Sequence, residues 1–190
     1  MRSLLDRELN QIQDDLLRVG SLVDVAIERS LISLRTFDSD LAQQVINDKM
    51  AALEHGESAL VFGSGMAAIA TLLFAVLKPG DHAVVQNGIY GGTFRLITTE
   101  VTRFGVSVTF AVSVEEMEAA VRTETKLIYV ESPTNPLLRC IDLAEVASLG
   151  RRRKVLTIID NTFATPVNQN PLDFGLDAVV HSATKYLNGH

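Results

Sequence analysis

From about residue 51 onward, short β-branched runs alternate with helical segments, and turn residues separate one from the next. The runs are Leu60-Val61-Phe62, Ala83-Val84-Val85, Val106-Ser107-Val108-Thr109-Phe110, Lys126-Leu127-Ile128-Tyr129-Val130, Val155-Leu156-Thr157-Ile158-Ile159 and Ala178-Val179-Val180. Helical periodicity fills residues 66–77, 92–104, 114–121 and 142–152 between them, with stops such as Lys78-Pro79-Gly80-Asp81. Strands that alternate with helices in this way predict an α/β fold, a largely parallel sheet covered by helices on both faces.

The first fifty residues follow another pattern. They hold no proline and one glycine, Gly20. Apolar residues recur at Leu5, Leu9, Ile12, Leu16, Val19, Val23, Ala26 or Ile27, and Leu34, the spacing of one helix face. A break and N-cap at Thr36-Phe37-Asp38-Ser39-Asp40 precede a second helix carrying Leu41, Val45 and Ile46. This predicts a helical hairpin over residues 1–50, then an α/β domain over 51–190. Two helices alone leave most of so wide an apolar stripe in water.

Ligands of doubly wound sheets sit beyond the carboxyl ends of the strands, so the polar residues there are the candidates. Gly63-Ser64-Gly65-Met66-Ala67-Ala68 follows the first run and opens a helix, as G-x-G-x-x-A does in dinucleotide sites. Small residues at a helix N-terminus let backbone N–H groups reach a phosphate. The acidic residue that a dinucleotide site places about 20 positions on is missing, since the next strand ends in Val85-Gln86-Asn87. A phosphate cradle is retained; a dinucleotide is not.

Asp160 closes an apolar run, where a carboxylate costs several kcal/mol unless something cationic meets it, such as a protonated heteroaromatic nitrogen. Lys185 follows the last run and could form a Schiff base with a carbonyl cofactor, with Ser182 and Thr184 beside it offering hydroxyls to a phosphate. Tyr90, on a glycine-flanked loop, could stack on a ring. Each residue alone has a plainer reading. Lys185 could be a solvated lysine, Asp160 a helix cap, Tyr90 a packing residue, and Asn135, between two prolines, a turn residue. Together, in the order this fold requires, they describe a site for pyridoxal 5'-phosphate (PLP).

The segments SGMAAIATLLFAVLKPGDH, IYGGTFRLI, YVESPTNPLL, IIDNTFATP and DAVVHSATKYLNGH resemble the Cys/Met-metabolism family of PLP enzymes, the cystathionine synthases and lyases. The resemblance runs from about residue 51 to 190. It implies part of the large domain of a fold-type I PLP enzyme, working in the cytoplasm as a homo-oligomer on a small amino-acid substrate. By resemblance, Lys185 is the catalytic lysine that carries the cofactor, and Asp160 pairs with the pyridinium nitrogen. Gly65 and Met66 bind phosphate through backbone N–H groups, and Ser182 and Thr184 bind it through hydroxyls. Tyr90 stacks on the ring with a catalytic role, Asn135 contacts its 3-hydroxyl side, and Glu131 and Thr162 support these ligands. The implied reaction is elimination or replacement at the β or γ carbon of cysteine-, homoserine- or cystathionine-type substrates.

Two departures bear on that expectation. A Tyr-x-Arg element that family members carry before the phosphate loop is missing here. Members also continue beyond the lysine into a region that binds the substrate carboxylate, so weak or no turnover is expected of residues 51–190 alone. Residues 1–50 resemble instead the opening hairpin of PhoU-type regulators of phosphate uptake. Two rival readings follow: a helical regulatory or interaction protein with a vestigial PLP half, or a chimeric product without its own function.

Composition narrows the remaining classes. A net charge of −6 argues against a nucleic-acid partner, and Arg151-Arg152-Arg153-Lys154 reads as the dipole-favoured end of a helix. The N-terminus is not patterned as a signal peptide, and the longest apolar stretch, residues 66–77, is too short to span a bilayer. Cys140, the single cysteine, allows no internal disulfide. The histidines His55, His82, His181 and His190 share no metal-ligand spacing, so no metal is expected.

Overall fold

The computed structural model describes residues 2–189 in their backbone; the side chains of residues 2–6, 15 and 19, and His190 as a whole, are outside the described set. Leu5, Val19 and His190, singled out from the sequence, therefore lie outside the described side chains. Two compact units emerge, residues 1–52 with 57–61, and residues 53–56 with 62–190.

In the first unit, α1 (Arg2–Thr36) and α2 (Ser39–Leu53) form the hairpin. Phe37 takes a left-handed φ of 53°, and the Asp38 carboxylate accepts the Leu41 N–H at 2.9 Å, capping α2. Arg29 pairs with Asp48 and donates to Gln44 at 3.2 Å, tying the helices together. Ala26, Ser33 and Val45 are buried, whereas Leu9, Ile12, Leu16, Val23, Ile27 and Leu34 stay exposed. The predicted stripe is real and largely wet.

The second unit is built on five parallel strands in the order β2-β1-β3-β4-β5. These are β1 (His82–Gln86), β2 (Ser107–Ala111), β3 (Thr125–Glu131), β4 (Leu156–Asp160) and β5 (Ala178–Val180). Side chains alternate across a strand, so β3 feeds two cores at once. Leu127 and Tyr129 join one cluster, with Ile69, Leu73 and Ile97; Ile128 and Val130 join the other, with Val146 and Leu149. The first cluster is closed by α3 (Gly65–Val76), the second by α5 (Val114–Ala120) and α6 (Leu143–Arg153). Burying each such side chain is worth about 1.5–3 kcal/mol, which is why the central strands read as unbroken apolar runs.

Two expectations change. Residues 60–62, read as a strand, lie outside any helix or strand, and Leu60 is 76% exposed. An apolar run becomes a strand only where a ladder partner exists, and this one pairs with none of the five strands. The helix expected over residues 92–104 is composite: α4 (Gly91–Arg95) continues as a π-helix, Leu96–Val101. Threonines explain it locally, since Thr98, Thr99 and Thr102 donate their hydroxyls to the carbonyls of Phe94, Arg95 and Thr98 at 2.9, 2.7 and 2.7 Å. Such back-bonding loosens an α-helix.

Gly150 in α6 supplies a test of this packing. Alanine normally stabilises a helix interior relative to glycine by roughly 1 kcal/mol. A Cβ here would sit 2.4 Å from Thr157 Cγ2 and 3.0 Å from the Val155 carbonyl oxygen. Thr157 is buried and stiff at χ1, so the neighbour cannot yield cheaply. Gly150→Ala is expected to destabilise the chain by about 1–3 kcal/mol, measured by denaturant unfolding; a gain in stability would contradict this packing.

Candidate active site

All strands being parallel, Gln86, Ala111, Glu131, Asp160 and Val180 end on one edge of the sheet. The chain leaves β1 toward β2 on one side and reaches β4 and β5 on the other, so the loops after β1 and β3 diverge at a switch point.

Glu131 occupies that point. Its Oε2 accepts the Tyr90 N–H and its Oε1 the Asn135 N–H, both at 2.7 Å, while its own N–H donates to Gln86 Oε1 at 2.9 Å. One carboxylate thereby fixes both loops. Burial pushes its pKa up from 4.5 to about 7, the two N–H donors oppose that, and Asp160 adds to it. Asp160 is the register partner of Glu131 on β4 and is also buried. Its Oδ1 accepts the Thr162 N–H at 3.0 Å. Burial raises the Asp160 pKa, against the Thr162 hydrogen bonds and the charge of His181. Burial, then Asp160 and Glu131, hold the Tyr129 hydroxyl well above its usual range too.

The sign of the Glu131 effect is testable. A carboxyl that gives up its proton more readily unfolded than folded makes stability fall as pH rises from about 4.5 to 7. A shift of that size corresponds to on the order of 3 kcal/mol. Glu131→Gln should flatten the fall over that window, leaving the same-signed contribution of Asp160. Chemical unfolding at a series of pH values reads it, and an unchanged slope would refute the buried carboxyl.

The residues that open α3 meet the last loop directly. Ser64 caps α3, accepting the Ala67 N–H at 3.1 Å. A Cβ on Gly65 would lie 2.8 Å from Ser182 Cβ, so only glycine lets these two backbones come this close. The Ser182 N–H donates to Thr162 Oγ1 at 2.8 Å, and Ser182 Oγ lies 3.3 Å from Thr184 Oγ1. On the other side, a Cβ on Gly92 would meet Tyr90 Cε1 at 2.5 Å and Met66 Sδ at 3.1 Å. Gly65, Met66, Tyr90, Ser182 and Thr184 thus gather around the α3 N-terminus, while Asp160, Thr162 and Asn135 come from the adjoining β3 and β4 ends. Lys185 is on the same rim, its N–H donating to the Ser182 carbonyl at 3.0 Å. Its side chain is exposed and makes no hydrogen bond or ion pair with the other candidates among the described residues.

Sequence reasoning missed one constellation. Buried Glu54 pairs with His181 Nε2, and the same Oε1 accepts Asn161 Nδ2 at 3.1 Å. Gln169 Nε2 in turn donates to Asn161 Oδ1 at 2.8 Å and to the Ser132 carbonyl at 2.9 Å. The only linear signal was the placement of His181 one residue, and Asn161 two residues, beyond the ends of apolar runs.

The sequence model of the Cys/Met metabolism PLP-dependent enzymes matches residues 37–190, taking in α2 as well as the sheet. L-methionine gamma-lyase of Fusobacterium nucleatum is 48% identical over 149 residues, covering 77% of this chain and 38% of the relative. The crystal structure of cystathionine gamma-lyase from Lactobacillus plantarum, complexed with L-serine, superposes with a TM-score of 0.74 at 46% identity, over 79% of this chain and 39% of that one. A putative O-acetylhomoserine (thiol)-lyase from Campylobacter jejuni, holding N'-pyridoxyl-lysine-5'-monophosphate, gives a TM-score of 0.76 at 32% identity, over 79% and 37%. The chain spans less than two fifths of the length of these relatives. With fold and sequence in agreement, the chain belongs to the Cys/Met metabolism PLP-dependent enzyme family.

Proposed function

We propose that residues 51–190 bind PLP at the carboxyl edge of the sheet, and that the chain serves elimination or replacement chemistry at the β or γ carbon of a sulfur amino acid. The observation that carries this reading is Asp160. It is a buried carboxyl without a salt-bridge partner among the described residues, directly behind the rim where Gly65 touches Ser182. A ligand with a cationic ring nitrogen at one end and a phosphate at the other matches that pair of features. The fit extends to the close approach at Gly65, which a side chain would fill.

In this assignment the backbone N–H groups of Gly65 and Met66, at the N-terminus of α3, receive the phosphate, and Ser182 and Thr184 add hydroxyl donors. Asp160, as a carboxylate, holds a proton on the ring nitrogen, and Thr162 orients Asp160 through its N–H. Tyr90 stacks on the ring face and Asn135 serves its 3-hydroxyl side, both held in place by Glu131. Lys185 Nζ would be the point of covalent attachment and, once displaced by the incoming substrate amine, would move the proton at the substrate α-carbon. PLP, when bound, supplies the electron sink that stabilises negative charge at that carbon. Titration of the purified chain with PLP, borohydride reduction and peptide mass mapping test the reading. It predicts a saturable visible absorbance and a reduced adduct on Lys185; absence of both would overturn it.

A further inference from the structure

Glu54 sits in the turn after α2, within the same compact unit as the sheet. Its neighbourhood is firmly held. The Leu53 carbonyl accepts Asn170 Nδ2 at 2.8 Å, and His55 Nδ1 lies 3.0 Å from the Asp173 carboxylate. From that anchor, one carboxylate oxygen reaches His181 and Asn161, which are 127 and 107 residues away in sequence. Asn161 directly follows Asp160, and His181 directly precedes Ser182. The two residues held by Glu54 are therefore the chain neighbours of the ring-binding carboxylate and of the phosphate-binding hydroxyl.

The arrangement is costly as a mere packing element. Both side chains are nearly inaccessible, at 7% and 6%, and Glu54 Oε2 and His181 Nδ1 are buried without a protein partner among the described residues. Buried polar groups left unpaired usually oppose folding, and an apolar pair of the same volume would avoid the cost. What the pair gains is a fixed distance between two loops, carried by a directional contact that an apolar pair would not supply.

Resting on the PLP reading above, we propose that Glu54 and His181 are positioning residues. Their contact, with Asn161, sets the spacing between the Asp160 end and the Ser182 end of the cofactor site. Neither residue touches the cofactor. Free inorganic phosphate engages only the Gly65–Ser182 end and is indifferent to the spacing; PLP spans both ends and is not.

The test compares four polar variants. Glu54→Asp and His181→Asn shorten the side chain and break the contact, whereas Glu54→Gln and His181→Gln keep an acceptor or donor at the same reach. Dissociation constants for PLP, by absorbance, and for inorganic phosphate, by calorimetry, are measured on the full chain, with thermal unfolding as the control for folding. The short variants are expected to weaken PLP about tenfold or more while phosphate affinity stays within about twofold. The long variants are expected to stay within about threefold of wild type for both ligands, and the double short variant to be no worse than the poorer single one. Unchanged PLP affinity in the short variants, or equal losses for both ligands, would overturn the positioning role while leaving the cofactor reading standing. Failure of the wild-type chain to take up PLP would overturn both.

Discussion

Replacing Lys185 with alanine is expected to remove all but a weak background of the reduced PLP adduct, the largest effect forecast for any single substitution in the chain. The argument rests on where the lysines are. There are five, Lys49, Lys78, Lys126, Lys154 and Lys185. Lys49 lies in α2; Lys78 and Lys154 precede β1 and β4, and Lys126 is the second residue of β3. Three of the five therefore occupy the amino edge of the sheet, opposite the rim where Gly65, Tyr90, Asp160 and Ser182 gather. Of the four lysines in the unit that holds the sheet, Lys185 alone stands on the carboxyl edge. Amines elsewhere react with an aldehyde as free amines do, whereas a site that also binds the phosphate raises the effective concentration at one amine by orders of magnitude. Mass mapping should find Lys185 labelled at least about tenfold above the other four, at limiting PLP. Inorganic phosphate should suppress that label selectively. In Lys185→Ala only the weak background at the other lysines should remain. Equal labelling of all five, or a wild-type level of adduct in the variant, would remove Lys185 from the site.

The strands were readable because of how this sheet is covered. Leu127, Ile128, Tyr129 and Val130 are buried on both faces, and such strands carry their own signature as continuous apolar runs. The polar residue ending each run was readable for the same reason, since Asp160 and Glu131 interrupt a pattern that has no other use for charge. The failure at residues 60–62 has the converse cause. Being a strand depends on a partner's free edge, which no local run of Leu, Val and Phe encodes. Glu54 and His181 escaped notice because their relation is purely tertiary. Neither residue is unusual in its own neighbourhood, and only the folded chain brings together positions 127 apart. Glu131 was read as a supporting residue; its bonds to the Tyr90 and Asn135 backbones depend on a strand order that skips from β1 to β3.

Asp160→Asn is expected to move stability and cofactor binding in opposite directions. In the free chain, the Asp160 carboxyl is buried, its pKa is raised chiefly by that burial, and His181 is the charged group that eases it. The folded state thus holds this proton more tightly than the unfolded chain does, so stability falls as pH rises above the ordinary value of 3.8. Asparagine keeps an oxygen to accept the Thr162 N–H and has nothing to ionise. The variant should therefore unfold at a temperature equal to or above wild type at pH 8, with the difference vanishing in acid. Binding should go the other way. A neutral amide cannot hold a proton on a ring nitrogen by charge, and losing one partner of a desolvated charge pair costs about 2–5 kcal/mol. PLP affinity should fall by about a hundredfold or more, while inorganic phosphate, placed by the proposal at the Gly65–Ser182 end, should bind as before. A variant that lost stability and cofactor together would mark Asp160 as a structural cap. A variant that kept full PLP affinity would place the ring elsewhere. Opposed changes are what a carboxyl retained for its ligand, against the interest of the fold, must produce.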